Sequence, residues 1–177
     1  MILNPRASGF TIVELLIVIV VIGLLAALVL NTFSGVQARA RDTTRKNDIA
    51  QIRKSLLSHE AVEGHMFYAS SGCGSLGNGS GWFNLEDPGL NYPKSIENCL
   101  KDSGYLSETI IDPSKKPSCS GASCHAYMKY NCWEAGRYVV YLFANLETLP
   151  QDSTALDSTC APNNDSLFGM NYVLKVN

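Results

Sequence analysis

The chain has 177 residues, of which 46% are hydrophobic and 17% charged, with a net charge of −2. This balance excludes a disordered or supercharged protein. It also excludes a multi-span membrane protein, since the sequence contains a single long apolar run, and it shows no overall basicity of the kind that marks a nucleic-acid-binding chain. The charge is unevenly placed. Val36 to Lys54 holds six Lys and Arg against two Asp, a net of +4, whereas Ser55 to Asn177 holds seven against thirteen Asp and Glu, a net of −6. A basic stalk precedes an acidic body.

The apolar run extends from Phe10 to Leu30, interrupted only by Thr11, Glu14 and Gly23. At ~1.5 Å per residue these residues span roughly 31 Å, about one bilayer hydrocarbon core. The run is longer than the ~7–15 apolar residues of a cleaved secretory signal. Ala38-Arg39-Ala40 has the form of a signal-peptidase site but lies too far beyond the run to serve it. Glu14 is the anomaly, because a carboxylate within a bilayer is costly and marks a functional site by default. A headgroup-seeking Glu14 near the start of the span is the alternative.

The segment Gly9-Phe10-Thr11-Ile12-Val13-Glu14-Leu15-Leu16, preceded by Arg6 and followed by the apolar run, resembles the class III signal of type IV pilins and pseudopilins. The resemblance implies removal of a leader, residues 1–9, by a prepilin peptidase that cuts between Gly9 and Phe10. It implies N-methylation of Phe10, retention of the apolar helix, and pairing of the Phe10 amine with Glu14 of its own or a neighbouring subunit. The partners implied are the chain itself in a helical homopolymer, the prepilin peptidase, the inner-membrane assembly machinery, and the membrane before assembly. The location implied is a single-pass inner membrane, then an extracellular filament. Spacing alone is consistent with the pairing, since positions 10 and 14 share a helix face. Gly23, Ala26 and Ala27 form a small-residue stripe that permits close helix approach. Where many pilins have a proline, Asn31 to Gly35 offers weak helix formers, so a bend or unwinding is expected between Gly23 and Gly35.

Val36, Ala40, Thr43, Ile49, Ile52, Leu56 and Leu57 recur at helical spacing, which predicts an amphipathic helix over 36–67 ending at Gly64. Its basic cluster reads as a solvated face that pairs with acidic neighbouring heads. His59 and His65 are expected at the exposed helix end. Ser70 to Gly81 reads as a loop, and Trp82-Phe83-Asn84 after it does not supply the helix that a phosphate cradle requires. A short helix is expected over 95–103 with Gly104 as its stop. Ala126–Trp133 and Tyr138–Leu146 around Gly136 read as a hairpin, with a third strand over Phe168–Val176. Tyr127, Tyr130, Tyr138 and Tyr141 fit strand faces and core. The resulting fold class is α+β: a long N-terminal helix, with a membrane-spanning half over 10–35 and an amphipathic half over 36–67, and a small antiparallel sheet in a disulfide-bonded head over 68–177 packed on the amphipathic half.

Cys73, Cys99, Cys119, Cys124, Cys132 and Cys160 all follow the apolar run, as expected of disulfides in an oxidising compartment. Cys73–Cys99, Cys119–Cys124 and Cys132–Cys160 are the pairings expected among many possible ones. A zinc set of Cys119, Cys124, His125 and Cys132 has no common ligand spacing. The acidic loop over 148–164 resembles a calcium loop of some pseudopilins in composition, but its spacing matches no fixed calcium loop, and a solvated loop is expected. The three histidines are scattered and no catalytic constellation, cofactor site or metal site emerges. The reading is a filament-forming pilin, not an enzyme. The alternatives are a secretion pseudopilin and a monomeric membrane-anchored binding module.

Overall fold

A computed structural model describes residues 9–67, 71–114, 127–134, 136–150 and 170–177, with 29–32 as backbone only. The chain divides after Ala38 into two compact units. Helix α1, Ile12–Glu63, runs through both. It is helical across Gly23 and Gly35, so of the expected bend or unwinding the unwinding is absent: a glycine costs only about 1 kcal/mol in a helix, too little to break one this long. In the first unit every described side chain from Ile12 to Leu28 is exposed. This helix is long and apolar enough to cross a membrane.

In the second unit α1 ends where its geometry requires glycine. Gly64 has φ +76° and donates its N–H to the Glu60 carbonyl at 2.9 Å. A four-stranded antiparallel sheet follows the order β1 (Gly81–Trp82), β2 (Tyr127–Glu134), β3 (Arg137–Ala144), β4 (Tyr172–Lys175). The β2–β3 hairpin pairs Tyr127 with Ala144 and closes Glu134 against Arg137, with Gly136 at φ +82° in the turn. This places the hairpin within two residues of its expected ends. Strand β1 has no signature in the sequence, because two residues carry no periodicity. Helix α2, Ile96–Asp102, lies within its expected range, with the Ser95 hydroxyl accepting the Asn98 N–H at 3.1 Å.

Both faces of the sheet are covered. Val140, Leu142 and Ala144 of β3 join Ile49, Ile52 and Leu56 of α1 in one core with Phe83, Leu100 and Leu146. Val139, Tyr141 and Phe143 join Trp82, Met128 and Met170 in a second core on the opposite face. Full burial of each α1 aliphatic residue contributes about 1.5–3 kcal/mol. The buried α1 stripe is Asp42, Arg45, Ile49, Ile52, Leu56 and His59, spaced three and four residues apart, with Ser55 beside it. Val36, Ala40 and Thr43, expected on the apolar face, are instead exposed. At that end of the stalk the buried positions are instead the ion-paired Asp42 and Arg45, while Ile49, Ile52 and Leu56 are buried as expected.

Candidate functional site

The first unit carries the predicted processing and assembly residues. Gly9 and Phe10 precede the helix and are exposed. Thr11 caps it: its hydroxyl accepts the Glu14 N–H at 3.2 Å, while the Glu14 carboxylate accepts the Thr11 N–H and hydroxyl, each at 2.8 Å. This is a reciprocal capping box, which satisfies helix-end donors that an apolar medium would leave unpaired. Its T-x-x-E signature, Thr11 to Glu14, is the sequence signal for this cap. Glu14 therefore has an intrachain role, four residues after Phe10. Gly23, Ala26 and Ala27 are exposed, and a Cβ built on Gly23 would meet nothing within 4 Å.

The second unit holds a polar clamp between α1 and the head. Arg45 is 5% exposed and central. Its guanidinium donates to Asp112 at 2.8 Å, to Glu147 at 2.8 Å and to Asp42 at 3.1 Å. Arg41 binds both oxygens of Glu147. Asp42 in turn accepts the N–H groups of Glu147 and Thr148, both at 2.8 Å, and the Thr148 hydroxyl at 2.6 Å. Burial pushes the Asp42 carboxyl up, but the Thr148 hydroxyl and the two amides outweigh it and hold it below the usual range. Asp112 behaves alike, with Arg45 and Ser114 overcoming burial. Glu147 is lowered chiefly by Arg41. Burial lowers Arg45, but Asp112 and Glu147 raise it beyond any accessible pH. Two of the six stalk cations are thus bound to the chain's own head, where a solvated face pairing with neighbouring heads was expected.

Three further polar groups lie inside the head. Asp48 accepts the Tyr127 hydroxyl, and burial raises its carboxyl despite that bond. Lys129 is fully buried, and its ammonium donates to the carbonyls of Phe67 and Gly79 and to the Asn131 side-chain oxygen. Burial pulls it down to about 7. No pattern in the sequence distinguishes Lys129 from a solvent-facing strand lysine. His59 is 7% exposed, with its ring centroid 5.0 Å from Phe67, 5.1 Å from Tyr105 and 5.6 Å from His65. The expected exposed position of His59 is therefore corrected: the chain turns at Gly64 and folds Phe67 back over it. His65 is exposed as expected. Tyr127 and Tyr141 are buried and Tyr130 half-buried, whereas Tyr138 is 44% exposed.

Cys73 and Cys99 form a disulfide that ties the Gly/Ser loop to α2, with Cα atoms 6.4 Å apart. This is one of the three expected pairings. Cys132 is also disulfide-bonded, so its thiolate is withdrawn from the zinc set. Cys119, Cys124, Cys160, His125 and residues 151–164 of the acidic loop lie outside the described residues. Among the described residues no group of three His, Cys, Asp or Glu is placed to hold a metal.

Residues 4–30 match the family model described as the prokaryotic N-terminal methylation motif. The N-terminal part is 38% identical over 60 residues to the type IV major pilin protein PilA of Myxococcus xanthus (strain DK1622), which covers 32% of this chain and 27% of that protein. The chain thus matches about a quarter of the relative's length. No solved structure matches the chain. The likeness to a pilin is carried by the N-terminal part, and the helix-and-sheet arrangement of the second unit is pilin-like in kind.

Proposed function

We propose that this chain is the precursor of a type IV pilin, which polymerises into a filament after a prepilin peptidase removes residues 1–9 and methylates Phe10. One observation carries the reading: the large apolar side chains of α1 from Ile12 to Leu28 are exposed, from 48% at Val21 to 82% at Ile12. Such a surface requires an apolar environment. The inner membrane supplies it before assembly, and equivalent helices of other copies supply it in the filament. The match to the N-terminal methylation motif supports the processing step.

Glu14 sets the register in this mechanism. Cleavage after Gly9 creates an ammonium at Phe10, and a carboxylate buried among apolar helices is stable only with such a partner. Apolar attraction alone tolerates many axial offsets between helices, whereas an ammonium–carboxylate contact accepts one. The relative's printed name, a major pilin, favours a pilus over a secretion pseudopilus.

The test is mass spectrometry of filaments sheared from cells that express the chain. The expected subunit begins at Phe10 and carries one added methyl group. Surface material that retains Met1 or begins after Ala40, or a processed chain that never leaves the membrane, would overturn the proposal.

A further inference from the structure

Asn78-Gly79 is the sole Asn-Gly pair in the sequence. The loop needs this glycine, because residue 79 has φ +65°, a left-handed conformation that a Cβ disfavours. The same missing Cβ leaves the Gly79 nitrogen open to attack on the side chain before it. Asn78 is exposed, and its side-chain amide makes no hydrogen bond among the described residues. Its Cγ is an electrophile one ring closure away from the following backbone nitrogen.

The folded loop holds that ring open. Asn78 has ψ 7°, which turns the Gly79 nitrogen toward the Asn78 backbone nitrogen and away from the Asn78 side chain. Closure therefore requires rotation about the Asn78 Cα–C bond. Three contacts oppose this rotation. The Gly79 N–H donates to the Cys73 carbonyl at 2.7 Å, the Asn131 side-chain amide donates to the Asn78 carbonyl at 3.1 Å, and the Lys129 ammonium donates to the Gly79 carbonyl. The first contact also keeps the proton on the nitrogen that must attack. Of residues 71–80, Cys73 is the only buried one that has a side chain. Its sulfur is bonded to Cys99 of α2. A single covalent tether thus anchors the loop, and the carbonyl of the tethered residue is the one that holds the Gly79 N–H.

We infer that Asn78 is a site of spontaneous covalent modification, converted to aspartate and isoaspartate in heads whose Cys73–Cys99 bridge has not formed. The Gly79 nitrogen attacks Asn78 Cγ. An N–Cγ bond forms, the Cγ–Nδ2 bond breaks, and ammonia leaves with the proton given up by the Gly79 amide. Water then opens the cyclic imide. Cleavage at Cγ leaves aspartate, and cleavage at the backbone carbonyl leaves isoaspartate. No oxidant, metal or enzyme is consumed. Isoaspartate adds one methylene to the main chain just before Gly79, which moves the Gly79 carbonyl off the Lys129 ammonium. The bridge therefore protects the chemistry of the loop as well as its position, independently of whether the chain polymerises.

The experiment incubates three samples of the full-length chain in one mildly alkaline buffer: bridged wild type in detergent, Cys73→Ser with Cys99→Ser in detergent, and reduced wild type unfolded in urea. Peptide mapping by mass spectrometry follows the conversion of Asn78. A second unbridged variant, Cys73→Ala with Cys99→Val, removes the bridge without placing hydroxyls in the core. Slow hydrogen exchange at the Ile49 and Ile52 amides identifies a variant that keeps its core. The urea sample is expected to convert fastest and the bridged chain about tenfold or more slowly, because local opening must precede ring closure. A variant with an intact core should lose most of that protection. Bridged chain that converts at the urea rate would overturn the inference, as would a folded unbridged variant that converts no faster than bridged wild type. Loss of slow exchange in both variants would assign the protection to the whole head and overturn the loop's part in it. An Asn78 that stays intact in urea would remove the site altogether.

Discussion

The Asp42 carboxylate accepts both the N–H and the hydroxyl of Thr148, 106 residues further along the chain. This contact fastens the exit of β3 to α1 beside the Arg45 guanidinium, which reaches Asp112 and Glu147 from the same helix. The apolar core holds the middle of α1 on the sheet. The polar clamp fixes which turn of the helix meets which end of the sheet, since a shift by one turn would leave Asp42 and Arg45 buried and unpaired.

Arg45→Met is expected to destabilise the second unit by about 3 kcal/mol, the low end for breaking a buried pair, because Glu147 is about a third exposed. The loss arises from leaving three carboxylates without their shared cation. Urea denaturation of the detergent-solubilised full chain measures it. An unchanged midpoint would show that the clamp adds nothing to stability.

The clamp also gives acid sensitivity with a defined sign. Asp42, Asp112 and Glu147 are depressed in the folded protein, so their contribution is complete above the ordinary carboxylate range of about 4 and is lost as pH falls through the lowered values. Asp48 is raised and acts in the opposite direction: its contribution is present at low pH and is lost as pH rises through its folded value. Burial also raises Glu97, so the three lowered clamp carboxyls stand against two raised ones, and thermal stability should fall below about pH 4. Asp48→Asn should steepen that fall. A wild-type melting temperature flat from pH 6 to about pH 3 would refute the assignment.

Lys129 supplies a slope on the alkaline side. Its folded value of about 7 lies below the ordinary ~10.4, so the unfolded chain binds more protons between those limits and stability rises with pH there. Lys129→Met should remove the rise. It should also leave the Phe67 and Gly79 carbonyls unpaired, at about 1–3 kcal/mol each. Parallel denaturation curves at pH 7 and pH 9 test both effects. Equal slopes in wild type and variant would show that another group is responsible.

The Cys73–Cys99 bridge closes a loop with a sequence separation of 26. Cys99→Ser should lower stability by about 2–4 kcal/mol, mainly by freeing the unfolded chain. Because Cys132 is bonded elsewhere, reduction of the wild type should cost more than this single substitution. Denaturation with and without reductant compares them, and a Cys99→Ser variant as stable as the wild type would discount the bridge.

Glu14 has two separable roles, capping the helix and carrying charge. Glu14→Gln preserves the capping box, since glutamine can also accept the Thr11 N–H, but removes the charge. Both Glu14→Gln and Glu14→Leu should insert and be cut after Gly9, and both should reduce sheared-filament yield about tenfold or more. Normal filaments from Glu14→Gln would reduce Glu14 to a capping residue and remove the register argument.

What the sequence determined by itself was local and periodic. The apolar stretch from Phe10 to Leu30, the Gly9-Phe10…Glu14 signal, the hairpin around Gly136 and the Ser95-capped helix all follow from patterns a few residues wide, because hydrophobic period, caps and turn residues act through neighbours in the chain. Tertiary structure decided the partners of the charges and the orientation of the stalk. Asp42 and Arg45 read as surface residues of an amphipathic helix until Asp112, Glu147 and Thr148 arrive from more than 60 positions away. Only then is their burial favourable, since a charge leaves water when its partners replace the water, and those partners come from distant parts of the chain. Lys129 and His59 obey the same rule. Each looks solvent-facing in sequence, and each is enclosed because the chain returns over it after Gly64, with Phe67 covering His59 and the Phe67 and Gly79 carbonyls receiving the Lys129 ammonium.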